Sequence, residues 1–168
     1  AVRDATLTIP IVSSVNKGAA RLGVSARFAG PGNNLTGINF FTSELAAKRL
    51  ELLRELVPTA TRVAVVVNPE NAANTETTLR DVATAARAMR LQIQVVPVNT
   101  SREINAAFAM FSRERPDALF FSGDGLFTSR RVQLVNLAWH LAVPAAFASR
   151  EIAEAGGLMS YGSNIADA

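Results

Sequence analysis

The sequence predicts an α/β protein, a three-layer sandwich built on a parallel sheet with helices on both faces. Three observations predict it. Short β-branched apolar runs such as Arg62-Val63-Ala64-Val65-Val66-Val67 are continuous rather than alternating, which suits strands covered on both sides. Turn signals end these runs, Asn68-Pro69 after the first and Gly123-Asp124-Gly125 after another. Helical stripes separate them, and the spacing from strand to strand is about 25 to 30 residues, the length of a βα repeat.

The elements follow in order. Thr8 to Val12 reads as a strand ending in Ser13-Ser14. Residues 29 to 34, rich in Gly, Pro and Asn, form a turn segment that cannot continue a helix. Leu35 to Phe41 is extended, after which Thr42 or Ser43 is placed to cap a helix carrying Leu45, Leu52, Leu53 and Leu56 and stopped by Pro58. Beyond the strand at 62 to 67, Thr75 to Arg90 shows the stripe Leu79, Val82, Ala83, Ala86 and Met89. Gln92 to Val98 returns to strand character, with Pro97 placing it at an edge or a strand end. Ser101 is expected to cap the next helix, with Ile104, Phe108 and Phe111 on one face and Pro116 closing it. Ala118 to Phe121 is the next strand. Thr128 or Ser129 then opens a helix carrying Val132, Val135, Ala138 and Leu141. Val143 to Ala148, a short helix near Glu151 to Ala155, and the run Leu158 to Tyr161 complete the chain, with Trp139 and Phe147 expected in the core.

Composition narrows the chemistry. Of the 168 residues, 49% are hydrophobic and 18% charged, which excludes a disordered chain. No apolar run approaches the roughly 20 residues needed to span a bilayer. The formal charge is +3, from 17 basic and 14 acidic residues spread along the chain, without the basic face and interleaved aromatics of a nucleic-acid binder. With no cysteine and one histidine, disulfides, thiol catalysis and multi-histidine metal sites are excluded. No cofactor and no metal is expected.

In open parallel sheets, ligands bind outside the carboxyl ends of the strands. The polar residues at those ends are Ser13 and Ser14, Asn68, Asn99 and Thr100, Ser122 and Asp124, and Ser149 to Glu151. These suit a polar small molecule and contain no nucleophile–base pair. His140 lies mid-helix and away from these ends. Gly123-Asp124-Gly125 lacks the further glycine or lysine of a phosphate loop, and its aspartate repels phosphate. Asp124 suits either a ligand ammonium or the cap of the following helix. Asn68-Pro69 is open in the same way between a turn and a ligand contact, and the Tyr161 hydroxyl needs a partner if buried.

Five segments in one order carry a resemblance: Thr8 to Val12; Gly32-Asn33-Asn34-Leu35-Thr36-Gly37; Lys48-Arg49-Leu50-Glu51-Leu52-Leu53 leading to Pro58; Arg62 to Val65 with Asn68-Pro69; and Ala155-Gly156-Gly157-Leu158-Met159-Ser160-Tyr161-Gly162. In these the chain resembles the substrate-binding proteins of ABC transporters, in the group that includes tryptophan/tyrosine-type binding lipoproteins. The resemblance implies a type I periplasmic-binding fold, two α/β lobes joined by three crossing strands and closing on a ligand between them. Residues 1–33 correspond to a remnant of the first lobe, 34–41 to a crossing strand, 42–148 to the second lobe, and 149–168 to a return segment that is cut short. The chain is then mostly the second lobe. Binding roles are implied for Ser13 and Ser14 at the first lobe's strand end and for Asn68, Ser122 and Asp124 in the second, with Ser149 joining them as a strand-end residue. Relatives usually show Asp-Pro where this chain has Asn16-Lys17, and often Asp-Asn where it has Asp124-Gly125.

The implied function is that of a solute-binding component of an ABC uptake transporter. It takes a small polar or aromatic, amino-acid-like molecule by hinge closure and passes it to a membrane permease, in the periplasm or anchored outside the cytoplasm. No enzymatic activity and no nucleic-acid partner are implied. Two alternatives stand beside it: an α/β transferase or hydrolase using Asp124 or Glu151 as base, and a ligand-sensing regulatory domain of the same fold. The chain also reads as a fragment, starting without methionine or an export signal, and its uncovered surface is expected to favour a homodimer.

Overall fold

The structure, a computed structural model, describes residues 8–16, 35–40 and 44–162, the first two stretches chiefly as backbone. Two compact units divide the chain, the larger running Thr42–Asn164. In the smaller, strand β1 (Ile11–Asn16) pairs in parallel with β2 (Leu35–Phe40), placing Ser13 opposite Gly37 and Ser14 opposite Ile38. This shifts the first strand from its expected position. Pro10 has no N–H to give a ladder, so pairing begins after it and runs through Ser13 and Ser14 instead of ending at them. The expected turn at 29 to 34 and the caps at Thr42 and Ser43 lie outside the described residues.

The larger unit contains α1 (Glu44–Leu56), β3 (Arg62–Val67), α2 (Ala72–Met89), β4 (Gln92–Pro97), α3 (Ser101–Glu114), β5 (Ala118–Phe121), α4 (Gly125–Ser129), α5 (Arg131–Leu141), β6 (Ala145–Phe147), α6 (Arg150–Glu154) and β7 (Met159–Ser160). Its five strands are all parallel, in the order β4-β3-β5-β6-β7. Residues 63–67 of β3 and all four residues of β5 are buried, which explains their unbroken apolar runs. β4 lies at an edge with Pro97 as its last residue, and Val95 is correspondingly exposed.

Strand alternation sorts the side chains into two cores. Val63, Val65 and Val67 of β3, with Ala118 and Phe120 of β5, pack with Ala46, Leu50 and Leu53 of α1 and Val82 and Ala86 of α2. On the other face, Ala64, Val66, Leu119 and Phe121 meet Ile104, Phe108 and Phe111 of α3, Leu134 and Val135 of α5, and Ile152 of α6. Phe121 is the hub of that face. It stacks on Phe147 with ring centroids 4.9 Å apart and meets the edge of Phe127 at 5.5 Å. The predicted three-layer sandwich is therefore present in the larger unit.

Several local expectations need correction. The buried stripe of α1 is Ala46, Arg49, Leu50 and Leu53, one register away from the leucines at 45, 52 and 56, and Leu56 is half exposed. Thr100, not Ser101, caps α3. Its side chain accepts from the Glu103 N–H while the Glu103 carboxylate accepts from the Asn99 N–H, a variant of the capping box. The helix expected from Thr128 starts earlier and breaks, giving α4 capped by Asp124 and then α5. Trp139 is 71% exposed and lies outside the core, its Nε1 donating to the Gly156 carbonyl, while Phe147 is buried as expected.

The amino edge of the sheet is fastened by Asp117. Its Oδ2 accepts from the backbone N–H groups of Thr61 and Arg62, each at 2.8 Å, and from the Thr61 hydroxyl at 3.0 Å, tying the start of β5 to the start of β3. The two backbone N–H groups hold the Asp117 carboxyl below the usual carboxylate range. A group ionising at lower pH when folded stabilises above its unfolded value, near pH 4, and loses that contribution as pH falls through the folded value. Asp117→Ala should therefore cost roughly 1–2 kcal/mol at pH 7. In urea titrations at several pH values, the gap to the parent should narrow below about pH 4. At the other edge, a Cβ on Gly162 would run into the Ala148 carbonyl oxygen. Gly162→Ala should destabilise the chain by about 1–3 kcal/mol, read as a lower urea midpoint at unchanged slope.

Candidate functional site at the carboxyl edge of the sheet

Strand order reverses between β3 and β5: the chain moves outward from β3 to β4, then crosses to β5 and continues to β6 and β7. That reversal leaves a crevice at the carboxyl ends of β3 and β5, where the loops to α2 and α4 diverge to opposite faces. Asn68 follows β3 there, and Ser122-Gly123-Asp124 follows β5.

Asp124 is the centre of a polar network joining the two loops. Its Oδ1 accepts from Asn68 Nδ2 at 3.0 Å and from the Leu126 N–H at 2.9 Å, and its Oδ2 accepts from Asn71 Nδ2 at 2.9 Å. Asn68 is itself fixed. Its side-chain oxygen accepts from the Glu70 N–H at 3.1 Å and its carbonyl from the Thr75 hydroxyl at 2.6 Å. Asn74 Nδ2 adds a further tie to the Gly123 carbonyl at 2.8 Å. A carboxylate offers about four lone-pair positions. Three are occupied here, leaving one on Oδ2 for an incoming donor. Among the described residues no cation pairs with Asp124, so its charge is positioned without being neutralised.

Asp124 thus caps α4, so the helix-cap alternative is realised, and it keeps one acceptor position unused among the described residues. Asn68 likewise serves a turn and a side-chain tie. Ser122, the first residue of the loop, is 2% exposed, and its hydroxyl has no hydrogen-bond partner among the described residues. Ser149 precedes α6 and donates its hydroxyl to the Glu151 carboxylate, the main cause holding Glu151 below the usual carboxylate range. Gly123 approaches closely enough that an added Cβ would lie 3.3 Å from Ala148 Cβ, so the loops after β5 and β6 are neighbours. The structure therefore brings Asn68, Ser122 and Asp124 together, with Ser149 on the adjoining loop. Ser13 and Ser14 lie in the other unit, within β1.

Sequence reasoning missed Asn71 and Asn74, the amides that fix Asp124 and Gly123. Their signal was the dense run Asn68-Pro69-Glu70-Asn71-Ala72-Ala73-Asn74 at a strand end. It also missed Arg49, which lies in the buried stripe of α1. Asn99 and Thr100 serve the start of α3, and Asn99 Nδ2 donates to Glu70 at 3.1 Å. His140 is an exposed residue of α5 bonded to the Asn136 carbonyl. Away from this edge, an apolar cavity of about 320 Å³ opens between α5 and the loop before β7, lined by Trp139, Val143, Pro144 and Leu158 among others. It lies at the amino ends of β6 and β7 and lacks the convergent polar groups of a specific solute site. Among the described residues no helix is long and apolar enough to cross a membrane.

Comparison with solved structures returns the same architecture. The ABC domain from Streptococcus pneumonia solved in complex with L-Trp is 20% identical with a TM-score of 0.77, aligned over 98% of this chain and 56% of that one. A conserved domain protein from Vibrio cholerae is 22% identical with a TM-score of 0.78, over 97% of this chain and 54% of that one. A solute-binding protein from R. palustris in complex with benzoate is 14% identical with a TM-score of 0.55, over 73% and 34% of the two chains. The chain thus spans about half the length of the first two structures, and at these identities the likeness establishes the fold. A search of curated proteins returns no significant match. The family model for ABC transporter substrate binding proteins matches residues 1–168, so this chain, with its five-stranded parallel sheet and Asp124-centred carboxyl edge, belongs to the ABC transporter substrate-binding protein family.

Proposed function

We propose that this chain supplies a ligand-contacting edge of the solute-binding component of an ABC uptake transporter, acting outside the cytoplasm and delivering its solute to a membrane permease. The solute is a small amino-acid-like molecule, polar or aromatic, held by hinge closure. Asp124 carries the proposal. It is a carboxylate fixed at the strand-order reversal by three neutral donors, and among the described residues one acceptor position is left and no cation pairs with it. That arrangement fits a ligand ammonium, and Ser122, which begins the same loop with its buried hydroxyl unpartnered, is proposed as a further contact that becomes available only when the loop opens. Support for an aromatic or zwitterionic solute comes from the two neighbours solved with L-Trp and with benzoate. The groups touching Asp124 are amides and a backbone N–H, which favours binding and release over a covalent step. Ser149 is proposed as a contact from the loop after β6, and Ser13 and Ser14 are proposed as ligand-binding residues of β1. The homodimer expected from the sequence gains no support from these comparisons.

A thermal-shift series on the full-length protein tests this reading, with amino acids and aromatic acids as probes, L-tryptophan and benzoate among them. A bound probe at a hundred times its Kd should add about 2.7 kcal/mol of stability. Asp124→Asn keeps an oxygen to cap α4 and removes the charge. It should abolish stabilisation by probes bearing an ammonium and leave any stabilisation by benzoate unchanged. Full retention of the ammonium-dependent shift would sink the assignment.

A further inference from the structure

Arg49 occupies a position where the pattern of α1 calls for an apolar residue. It lies among Ala46, Leu50 and Leu53 on the buried face and is 2% exposed. Its guanidinium sits over the Phe120 ring, 4.4 Å from the centroid. Nη1 donates to the Tyr161 carbonyl at 2.9 Å and Nη2 to the Phe121 carbonyl at 3.1 Å, while Nε is buried without a partner. Among the described residues no carboxylate pairs with it. Burial pushes its pKa down to about 9, which still leaves it charged at neutral pH.

A charge buried without a counter-ion carries a desolvation cost that no ion pair offsets. What the charge does instead is join three segments. Helix α1 is the first element described in the unit that begins at Thr42. Phe121 is the last residue of β5 and directly precedes Ser122-Gly123-Asp124. Tyr161 follows β7, close to the end of the unit at Asn164. The Tyr161 N–H donates to the Phe147 carbonyl at 3.0 Å, and Gly162 lies against Ala148, so this exit segment rests on the end of β6.

We propose that Arg49 is a positioning residue that couples the loop bearing Asp124 to the segment by which the chain leaves the larger unit. The planar fork of the guanidinium is what allows one side chain to hold both carbonyls in fixed relation, which a lysine ammonium cannot reproduce. Movement of the Asp124 loop is passed through the Phe121 carbonyl to Arg49, and from there to Tyr161. The functional meaning of this coupling rests on reading the Asp124 loop as a ligand contact, but the coupling itself needs no ligand to be measured.

Amide hydrogen exchange on the 168-residue chain tests it. Asp124→Ala removes the three hydrogen bonds that its carboxylate accepts from Asn68, Asn71 and the Leu126 N–H, leaving the Asn74 tie to Gly123 in place. It should accelerate exchange in residues 122–126 and also, by roughly tenfold, in residues 159–162, as expected for weakening one hydrogen bond to a charged group. In the Arg49→Met background, Asp124→Ala should add no acceleration at 159–162. The Arg49→Met single variant should fold but melt below the parent temperature, because the Phe121 and Tyr161 carbonyls lose their donor. If it fails to fold, Arg49→Lys serves as the background and should uncouple the two segments in the same way. Unchanged exchange at 159–162 in the parent background overturns the proposal, as does equal acceleration in both backgrounds. Acceleration that extends equally to β4 overturns it too, since it would mark global destabilisation. Failure of the ammonium-dependent thermal shift would instead overturn only the ligand reading and leave this coupling standing.

Discussion

The parallel pairing of β3 with β5 is the constraint from which the rest of the larger unit follows. Both strands are buried on both faces, so each must receive helices above and below. Their registration, Val63 with Ala118 through Val66 with Phe121, places odd residues of β3 against α1 and α2 and even ones against α3 and α5. Because β4 lies on the far side of β3, the chain must reverse its direction across the sheet to build β5. That reversal opens the crevice in which Asn68 and Asp124 meet.

How much of this was legible in the sequence depends on how local the determining interaction is. Strands β3 and β5 were readable because a strand covered on both faces needs an unbroken apolar run, and few other elements tolerate one. The face of α1 was not. Leucines at 45, 52 and 56 offered a competing stripe, and the burial of Arg49 breaks the rule that charges avoid the core. That burial is stabilised by carbonyls 72 and 112 residues away in sequence, which no local pattern reveals. The caps were more recoverable. Thr100-Ser101-Arg102-Glu103 carries a capping-box spacing that favours Thr100 over Ser101, and Pro10 explains why β1 begins late. Trp139 escaped because its indole N–H is satisfied at the surface by the Gly156 carbonyl, a contact set by the turn before β7.

The candidate site divides in the same way. The rule that ligands meet the carboxyl ends of parallel strands located Asn68, Ser122 and Asp124 before any geometry was known. It could not say that Asn71 and Asn74, from the start of α2, would reach across to the loop after β5. The dense run of asparagines marks those amides in the sequence, but their partners are fixed only once strand order sets β3 and β5 side by side. Ser122 shows the opposite limit. Its position was legible, but its enclosure was not, because burial of a loop residue depends on the helices that cover it.

The two charges that meet the end of β5, Asp124 in its loop and Arg49 from α1, are held in the same way. Asp124 is held by amide and peptide donors, and Arg49 by two peptide carbonyls and an aromatic face. Had either been held by an opposite charge, its position would be fixed but its field would be spent within the protein. Neutral dipoles fix the position and leave the charge uncompensated. For Asp124 this leaves a fixed negative charge at the carboxyl edge of the sheet, the property on which the proposed ammonium contact rests. For Arg49 it means that, among the described residues, the buried cation is held by the Phe121 and Tyr161 carbonyls and the Phe120 ring alone, with no counter-ion to compensate it.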